Sequence, residues 1–149
     1  MKDFLLLIVL WVLIGIFAII VSPMVIPAFR KYMNFCLVIV SGISFSLLGL
    51  ILIFLTLRGK IKGKLKKSLF LIGISAIGFF VSILLHNLFY GLSIIASQTT
   101  WLSYLAKGLK GGFFILGVFI CPLGFLGGII TSFLLFIKRK KKGEGIFLE

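Results

Sequence analysis

Four stretches of the chain carry no charged residue: Phe4 to Phe29, Tyr32 to Leu57, Ser68 to Ala106 and Gly111 to Ile137, of 26, 26, 39 and 27 residues. A helix needs about 20 mostly apolar residues to cross a bilayer core, so each stretch is long enough to span once. Runs such as Phe4-Leu5-Leu6-Leu7-Ile8-Val9-Leu10 are apolar on every side and lack the alternation of a membrane barrel strand, which points to helices in lipid. Composition agrees. Hydrophobic residues make up 61% of the chain and charged residues 13%, whereas an ordinary soluble domain has about 25% charged residues. Too little polar surface is left to clothe a water-facing globule, which excludes a soluble enzyme domain. The only acids, Asp3, Glu144 and Glu149, lie outside the apolar stretches.

The third stretch is long enough to raise the question of two crossings, but Ser97-Gln98-Thr99-Thr100 interrupts its later part, and two spans would leave no turn. Parity decides the count. Arg58 to Lys67 holds six cations and Lys138 to Lys142 holds five, and the positive-inside rule puts both on the cytoplasmic side, which requires an even number of crossings between them. The expectation is an all-α, polytopic four-helix transmembrane bundle with both termini in the cytoplasm, a single membrane domain over residues 1–149. Its spans cover about 4–27, 34–57, 69–95 and 113–137, with a basic cytoplasmic loop at 58–68 and a basic tail at 138–149. Twelve cations then lie inside, against Arg30, Lys31, Lys107 and Lys110 outside. The first apolar run is longer than a signal peptide's core of roughly 7–15 residues and no small-x-small site follows it, so it reads as an uncleaved helix. Pro23 and Pro27 are expected to end or kink it.

Residues 99–110 read as a short amphipathic helix between spans three and four. Thr100, Ser103, Lys107 and Lys110 fall on one side and Trp101, Leu102, Leu105 and Leu109 on the other, with Tyr104 at the margin. Trp and Tyr favour the membrane boundary, so this helix is expected flat on the outer interface, hinged at Gly111-Gly112, as an anchored connector or alternatively a lid or docking element.

Small residues mark packing seams in lipid, because apolar side chains gain little there by leaving the lipid for each other. The expected stripes are Gly15, Ala18 and Ser22 in the first span and Gly42, Ser46, Gly49 and Thr56 in the second. In the third they are Ser75, Ser82, His86, Tyr90 and Ser93, and in the fourth Gly117, Cys121, Gly124, Gly128 and Thr131. Their period near 3.5 implies a left-handed bundle. Gly124 and Gly128 form a G-x-x-x-G pair suited to packing within the chain or against a second copy.

The third stripe is the most polar. Counting about 1.5 Å per residue from Ile95 puts His86 some 13 Å from the outer end of its helix, and the same counting brings Cys121 and Ser41 to a similar depth. Ser41, His86, Asn87, Tyr90 and Cys121 are therefore candidates for one intramembrane polar layer. Pro122 adds an acceptor by depriving the Val118 carbonyl of its helical donor. The layer either locks register through hydrogen bonds across the bundle or makes His86 a titrating group in a solute or proton path. One His and one Cys fall short of a tetrahedral metal shell, so neither a metal nor another cofactor is expected. Cys36 lies shallower than Cys121, which disfavours a bridge, and without a C-x-x-C nothing points to thiol oxidoreduction.

The cations Arg58, Lys60, Lys62, Lys64, Lys66, Lys67, Lys138, Arg139, Lys140, Lys141 and Lys142 are read as contacts to anionic lipid headgroups, not to nucleic acid, because they flank membrane helices. Residues 4–57 and 69–137 share a scattered composition that would suit a duplicated hairpin. The segments Leu85-His86-Asn87-Leu88-Phe89-Tyr90 and Cys121-Pro122-Leu123-Gly124-Phe125-Leu126-Gly127-Gly128 resemble parts of small four-span prokaryotic membrane proteins of no assigned activity. That resemblance covers the second half of the chain and implies the same fold and location, with no activity attached. A proton-coupled small multidrug exporter would need an intramembrane carboxylate, and the Gly/Asn/Phe pattern of fluoride channels is not found. Three functional classes stay open: a non-enzymatic structural, assembly or accessory subunit, in complex with partners or with copies of itself; a small oligomeric transporter or channel using the His86 layer; and a holin-like lesion former. An enzyme is not expected, since Cys121 and His86 lack an orienting third group.

Overall fold

The computed structural model describes residues 2–26, 35–59, 61, 63–95 and 100–142, and every element among them is a helix. Helix α1 runs over Lys2–Val25, α2 over Phe35–Arg58, α3 over Gly63–Ile95, α4 over Thr100–Ile115 and α5 over Cys121–Lys142, with a π-helical turn at Leu116–Ile120 joining the last two. Four of the helical segments are long and apolar enough to cross a membrane: Phe4–Ser22, Ile39–Arg58, Gly63–Ile95 and Trp101–Lys138. The four-helix bundle expected from the charge-free stretches is present.

Local chemistry explains where the helices bend and stop. Pro23 has no N–H for the Ile19 carbonyl, and the Ser22 hydroxyl takes its place, donating to Ile19 O at 2.9 Å. Helix α1 therefore continues through Pro23 to Val25, and Ile26 N–H closes it on Ser22 O just before Pro27. The Thr56 hydroxyl donates to Leu52 O within α2, so a polar group that is fully buried costs nothing unpaired. Gly63 opens α3 at φ +74°, a left-handed conformation for which glycine carries no Cβ penalty.

No break occurs at Gly111-Gly112. α4, the π turn and α5, of 16, 5 and 22 residues, form one uninterrupted rod about 64 Å long, from Thr100 to Lys142. A glycine in a helix interior costs about 1 kcal/mol relative to alanine, less than several backbone amides left unpaired in an apolar setting. The expected interfacial segment is helical but is not a separate hinged piece: α4 packs along the far end of α3. Its faces do not divide by polarity: Ser103 and Ala106 are buried, whereas Trp101, Tyr104, Leu105 and Lys107 face outward.

α3 is the hub, packed against α2, α4, the π turn and α5, whereas α1 approaches closely only α2. Backbones come nearest where glycines face each other. A methyl group added at Gly49 would lie 2.9 Å from both Gly73 O and Ala76 Cβ, and one added at Gly73 would lie 2.9 Å from Gly49 O. On the other side of α3, a methyl at Gly128 would come within 2.6 Å of Ile72, at Gly124 within 2.7 Å of Ser75 Oγ, and at Gly117 within 3.1 Å of Ser82. These pairs set an antiparallel register in which Gly117 meets Ser82, Cys121 meets Gly78, Gly124 meets Ser75 and Gly128 meets Ile72.

Gly42 also sits in a seam, against the Phe80 ring, but Gly15 does not: a methyl there would have nothing within 4 Å. The buried face of α1 is instead Leu6, Val9, Leu10 and Leu13. α1 meets α5 across large rings, Trp11 on Phe133 at 5.8 Å and Phe17 on Phe125 at 4.6 Å between centroids. Phe17, Phe45, Phe79 and Phe125, one from each long helix, meet at the centre of the bundle, with Phe45 touching the other three at 5.1–6.1 Å. Outside this core the surface stays apolar, with Ile74, Leu84, Leu123 and Leu134 each more than half exposed.

Unfolding of the micelle-solubilised protein by SDS titration should separate these contacts. Gly49→Ala is expected to lower stability by about 1–3 kcal/mol through overpacking, and Phe45→Ala by about 3–5 kcal/mol through the cavity it leaves. Gly15→Ala should be neutral or slightly stabilising, by up to about 1 kcal/mol.

Candidate functional site

The five residues expected in one polar layer separate into two pairs at different levels and one outlier. His86 is half-buried on α3, and its Nδ1–H donates to the backbone carbonyl of Lys110 on α4 at 2.9 Å. A carbonyl can only accept, so Nδ1 carries a hydrogen, and in the neutral imidazole that leaves Nε2 as the acceptor. Tyr90, one turn further along α3, is exposed beneath the Lys110 ammonium, which lies 4.7 Å from the ring centroid. His86, Tyr90 and Lys110 thus form one group at the far end of the bundle.

Cys121 belongs to a different level. It is buried opposite Gly78, and Gly78 lies eight residues from His86, about 12 Å along the helix. Counting depth from a hinge at Gly111-Gly112 had placed the two together; without a hinge, the glycine seam sets the register. Ser41 adjoins Gly42, which packs on Phe80, so it too lies about two turns from His86. Asn87 is exposed, and its Nδ2 donates to Ile83 O on its own helix at 2.9 Å, so it bridges nothing.

Between the two levels lies a half-enclosed cleft of about 150 Å³. Phe79, Ser82, Ile83 and His86 line it from α3, and Phe113, Phe114, Gly117 and Val118 from the opposite helix. Its origin is local. Proline at 122 cannot donate to Val118 O, and its ring would crowd that carbonyl in a regular α-turn; the chain widens into the π turn, where Cys121 N–H reaches back to Leu116 O. The wider turn carries Gly117, which has no side chain to fill the space beside Ser82. Phe89 stacks on Phe113 at 5.6 Å with the rings nearly parallel, and the His86 ring is 5.5 Å from Phe114, which closes the far end.

Ser68 and Ser132 were not anticipated. Both are buried; the Ser132 hydroxyl donates to Ser68 Oγ at 3.0 Å, and the Ser68 hydroxyl donates to Gly128 O at 2.7 Å. The signal was available, because Ser132 continues the Gly117, Cys121, Gly124, Gly128 stripe with a step of four. Thr131, chosen with a step of three, is exposed and donates to Gly127 O of its own helix.

Among the cations, Arg58, Lys64, Lys67 and Lys138 are exposed and Lys66 is half-buried. Arg58 lies over the Phe54 ring and Lys66 over the Phe70 ring, each at 5.9 Å, so their stems lie along apolar surface while the charges stay at the helix ends. Lys60 and Lys62 lie outside the described residues, and Arg139, Lys140, Lys141 and Lys142 continue α5. No group of three or more His, Cys, Asp or Glu side chains suited to a metal ion occurs among the described residues. Cys36 is exposed and Cys121 buried, and both are free thiols.

Fold and composition together define a multi-pass membrane protein built as a bundle of four apolar helices. Comparison with protein-family models, with curated proteins and with solved structures finds no match for this chain.

The serine cluster generates a test. Ser68→Ala and Ser132→Ala should each cost about 0.5–2 kcal/mol, with a coupling of about 0.5–1.5 kcal/mol in a double-mutant cycle read by SDS unfolding, while Thr131→Ala stays within about 0.5 kcal/mol.

Proposed function

We propose that the chain is a structural, assembly or accessory subunit of the cytoplasmic membrane, without catalytic chemistry of its own and with both termini in the cytoplasm. The observation that carries this reading is the plug formed by Phe17, Phe45, Phe79 and Phe125: four rings fill the middle of the bundle where a solute path would have to run. Around it, hydroxyls and amides are spent on helix carbonyls and on each other, at Thr56, Ser68, Asn87, Thr131 and Ser132. Ser68 and Ser132 tie two helices together and the others return to their own helix, which makes no wire for protons. Gly124 and Gly128 pack against Ser75 and Ile72 of α3, so the G-x-x-x-G pair serves the fold of this chain and lends no support to a lesion-forming reading.

The orientation rests on the charge count. The sequence segments Arg58 to Lys67 and Lys138 to Lys142 carry eleven cations, of which Arg58, Lys64, Lys66, Lys67 and Lys138 lie at one end of the bundle, and the segments are expected to rest on anionic headgroups of the inner leaflet. Trp101 and Tyr104, both exposed, then mark the outer boundary with Lys107 and Lys110. α3 is 33 residues long, about 50 Å, against a hydrocarbon core of about 30 Å, so the α3–α4 hairpin tilts or stands at headgroup level and offers its apolar flank to a membrane partner.

In proteoliposomes, His86→Ala is expected to leave solute and proton flux and their pH dependence at wild-type levels while lowering the unfolding temperature. A wild-type flux abolished by this substitution would replace the accessory reading with transport. For orientation, with Cys36 and Cys121 replaced by serine, Lys107→Cys should react with an impermeant maleimide in intact cells and Lys64→Cys only after permeabilisation; the reverse pattern would invert the topology.

A further inference from the structure

The cleft beside the π turn has an uneven chemistry. Phe79, Phe113 and Phe114, with Ile83 and Val118, make its lining almost wholly carbon. Two of its lining residues, Ser82 and His86, have polar side chains. Ser82 is buried against Gly117, and His86 uses Nδ1–H on the Lys110 carbonyl. What remains is His86 Nε2, an acceptor with no hydrogen-bond partner among the described residues. An unmet acceptor in apolar surroundings costs free energy that a single donated hydrogen bond would recover.

Candidate occupants differ in how they meet that demand. Water needs two to four polar partners to be held in a cavity, and the cleft offers one. An acyl chain suits the carbon walls but leaves Nε2 unmet. An anion would need a cation in the wall, whereas Lys110 contributes its carbonyl and turns its ammonium onto Tyr90. A six-membered aromatic ring fits on two counts: an apolar cavity of about 150 Å³ is the size that admits benzene, and phenyl walls favour offset or edge contacts with a further ring. One hydroxyl on that ring supplies the donor.

We propose that the cleft is a binding site for a membrane-soluble phenol or hydroquinone ring, its hydroxyl donating to His86 Nε2 and its faces contacting Phe79, Phe113 and Phe114. The site goes beyond the accessory role, since it gives the bundle a ligand, and it stands or falls separately from the flux measurements. Pro122 acts through the backbone in this arrangement: the π turn ahead of it carries Gly117, which has no side chain to fill the cleft.

The test is a ¹⁹F NMR titration of the full-length protein in lipid nanodiscs with 4-fluorophenol and with fluorobenzene, each corrected for partitioning into protein-free nanodiscs. The wild type is expected to bind both saturably, the phenol about five- to tenfold more tightly, as one hydrogen bond provides. His86→Phe should keep fluorobenzene binding and lose the preference, and Ile83→Trp, which fills the cleft but leaves the imidazole, should abolish both. Circular dichroism and the unfolding temperature establish that each variant is folded; should His86→Phe not fold, the wild-type preference and the Ile83→Trp result decide. No saturable binding by the wild type, as when an acyl chain already occupies the cleft, overturns the proposal. So does a wild type that binds both probes equally, a preference that survives in His86→Phe, or binding that survives in Ile83→Trp.

Discussion

The bundle depends on how closely α3 lets its neighbours approach. In hydrocarbon an apolar side chain gains little by leaving lipid for protein, so association rests on close backbone packing and on hydrogen bonds between helices. α3 supplies both. Gly73 meets Gly49 with carbonyls at contact distance on one flank, and Ser75, Gly78 and Ser82 meet Gly124, Cys121 and Gly117 on the other. α1 has no such seam and is held differently, through leucines at one end and the Phe17–Phe125 and Trp11–Phe133 ring contacts at greater backbone separation. Widening the α3 seams would therefore loosen three helices, whereas α1 is a cover whose rings fill the middle.

The same seam makes the cleft. Its antiparallel register runs without a gap from Ser68–Ser132 to Ser82–Gly117, and the π turn ahead of Pro122 interrupts it there. Beyond that point α4 still packs along α3, with Ser103 and Ala106 buried and Phe89 stacked on Phe113, and the polar tie between them among the described residues is His86 to Lys110 O. A proline in lipid must have its lost hydrogen bond absorbed locally, and the chain absorbs it by widening, which leaves space. The cleft is thus a consequence of backbone satisfaction, with a histidine placed at its edge.

Much of the fold was legible in the positions of charges. Charge-free length located the four crossings, and the period of small residues located Gly42, Gly49, Gly124 and Gly128 in real seams. The failures have physical reasons. A stripe of small residues shows that a face is narrow and does not show that anything packs on it, so Gly15 was assigned to a seam although α1 buries leucines. Depth along a helix depends on where its ends lie, and the sequence suggests a hinge at Gly111-Gly112; the helix runs through both glycines, which keeps their backbone amides paired. Depth counted from that hinge brings Cys121 to the level of His86, whereas the glycine seam sets them apart. Ser103 turns inward while Trp101 and Lys107 both face outward, so polarity alone does not tell the buried face of α4.

The distribution of hydrogen bonds separates polar groups that hold the bundle from those that tolerate lipid. Ser22, Thr56, Asn87, Ser93 and Thr131 each return to a carbonyl three or four residues back on their own helix, a bond available to an isolated helix before any bundle forms. Such groups carry little information about tertiary structure. Ser68, Ser132 and His86 reach across to another helix, and all three sit on the pairing of α3 with the long rod of α4 and α5. The serines lie at one end of that pairing and the imidazole near the other, with glycines in contact between them. Two polar ties separated by a steric seam fix the sliding register of the pair, because a shift by one residue would break both ties and drive Gly124 and Gly128 out of contact. The cleft lies between these ties, beside the π turn at Leu116–Ile120.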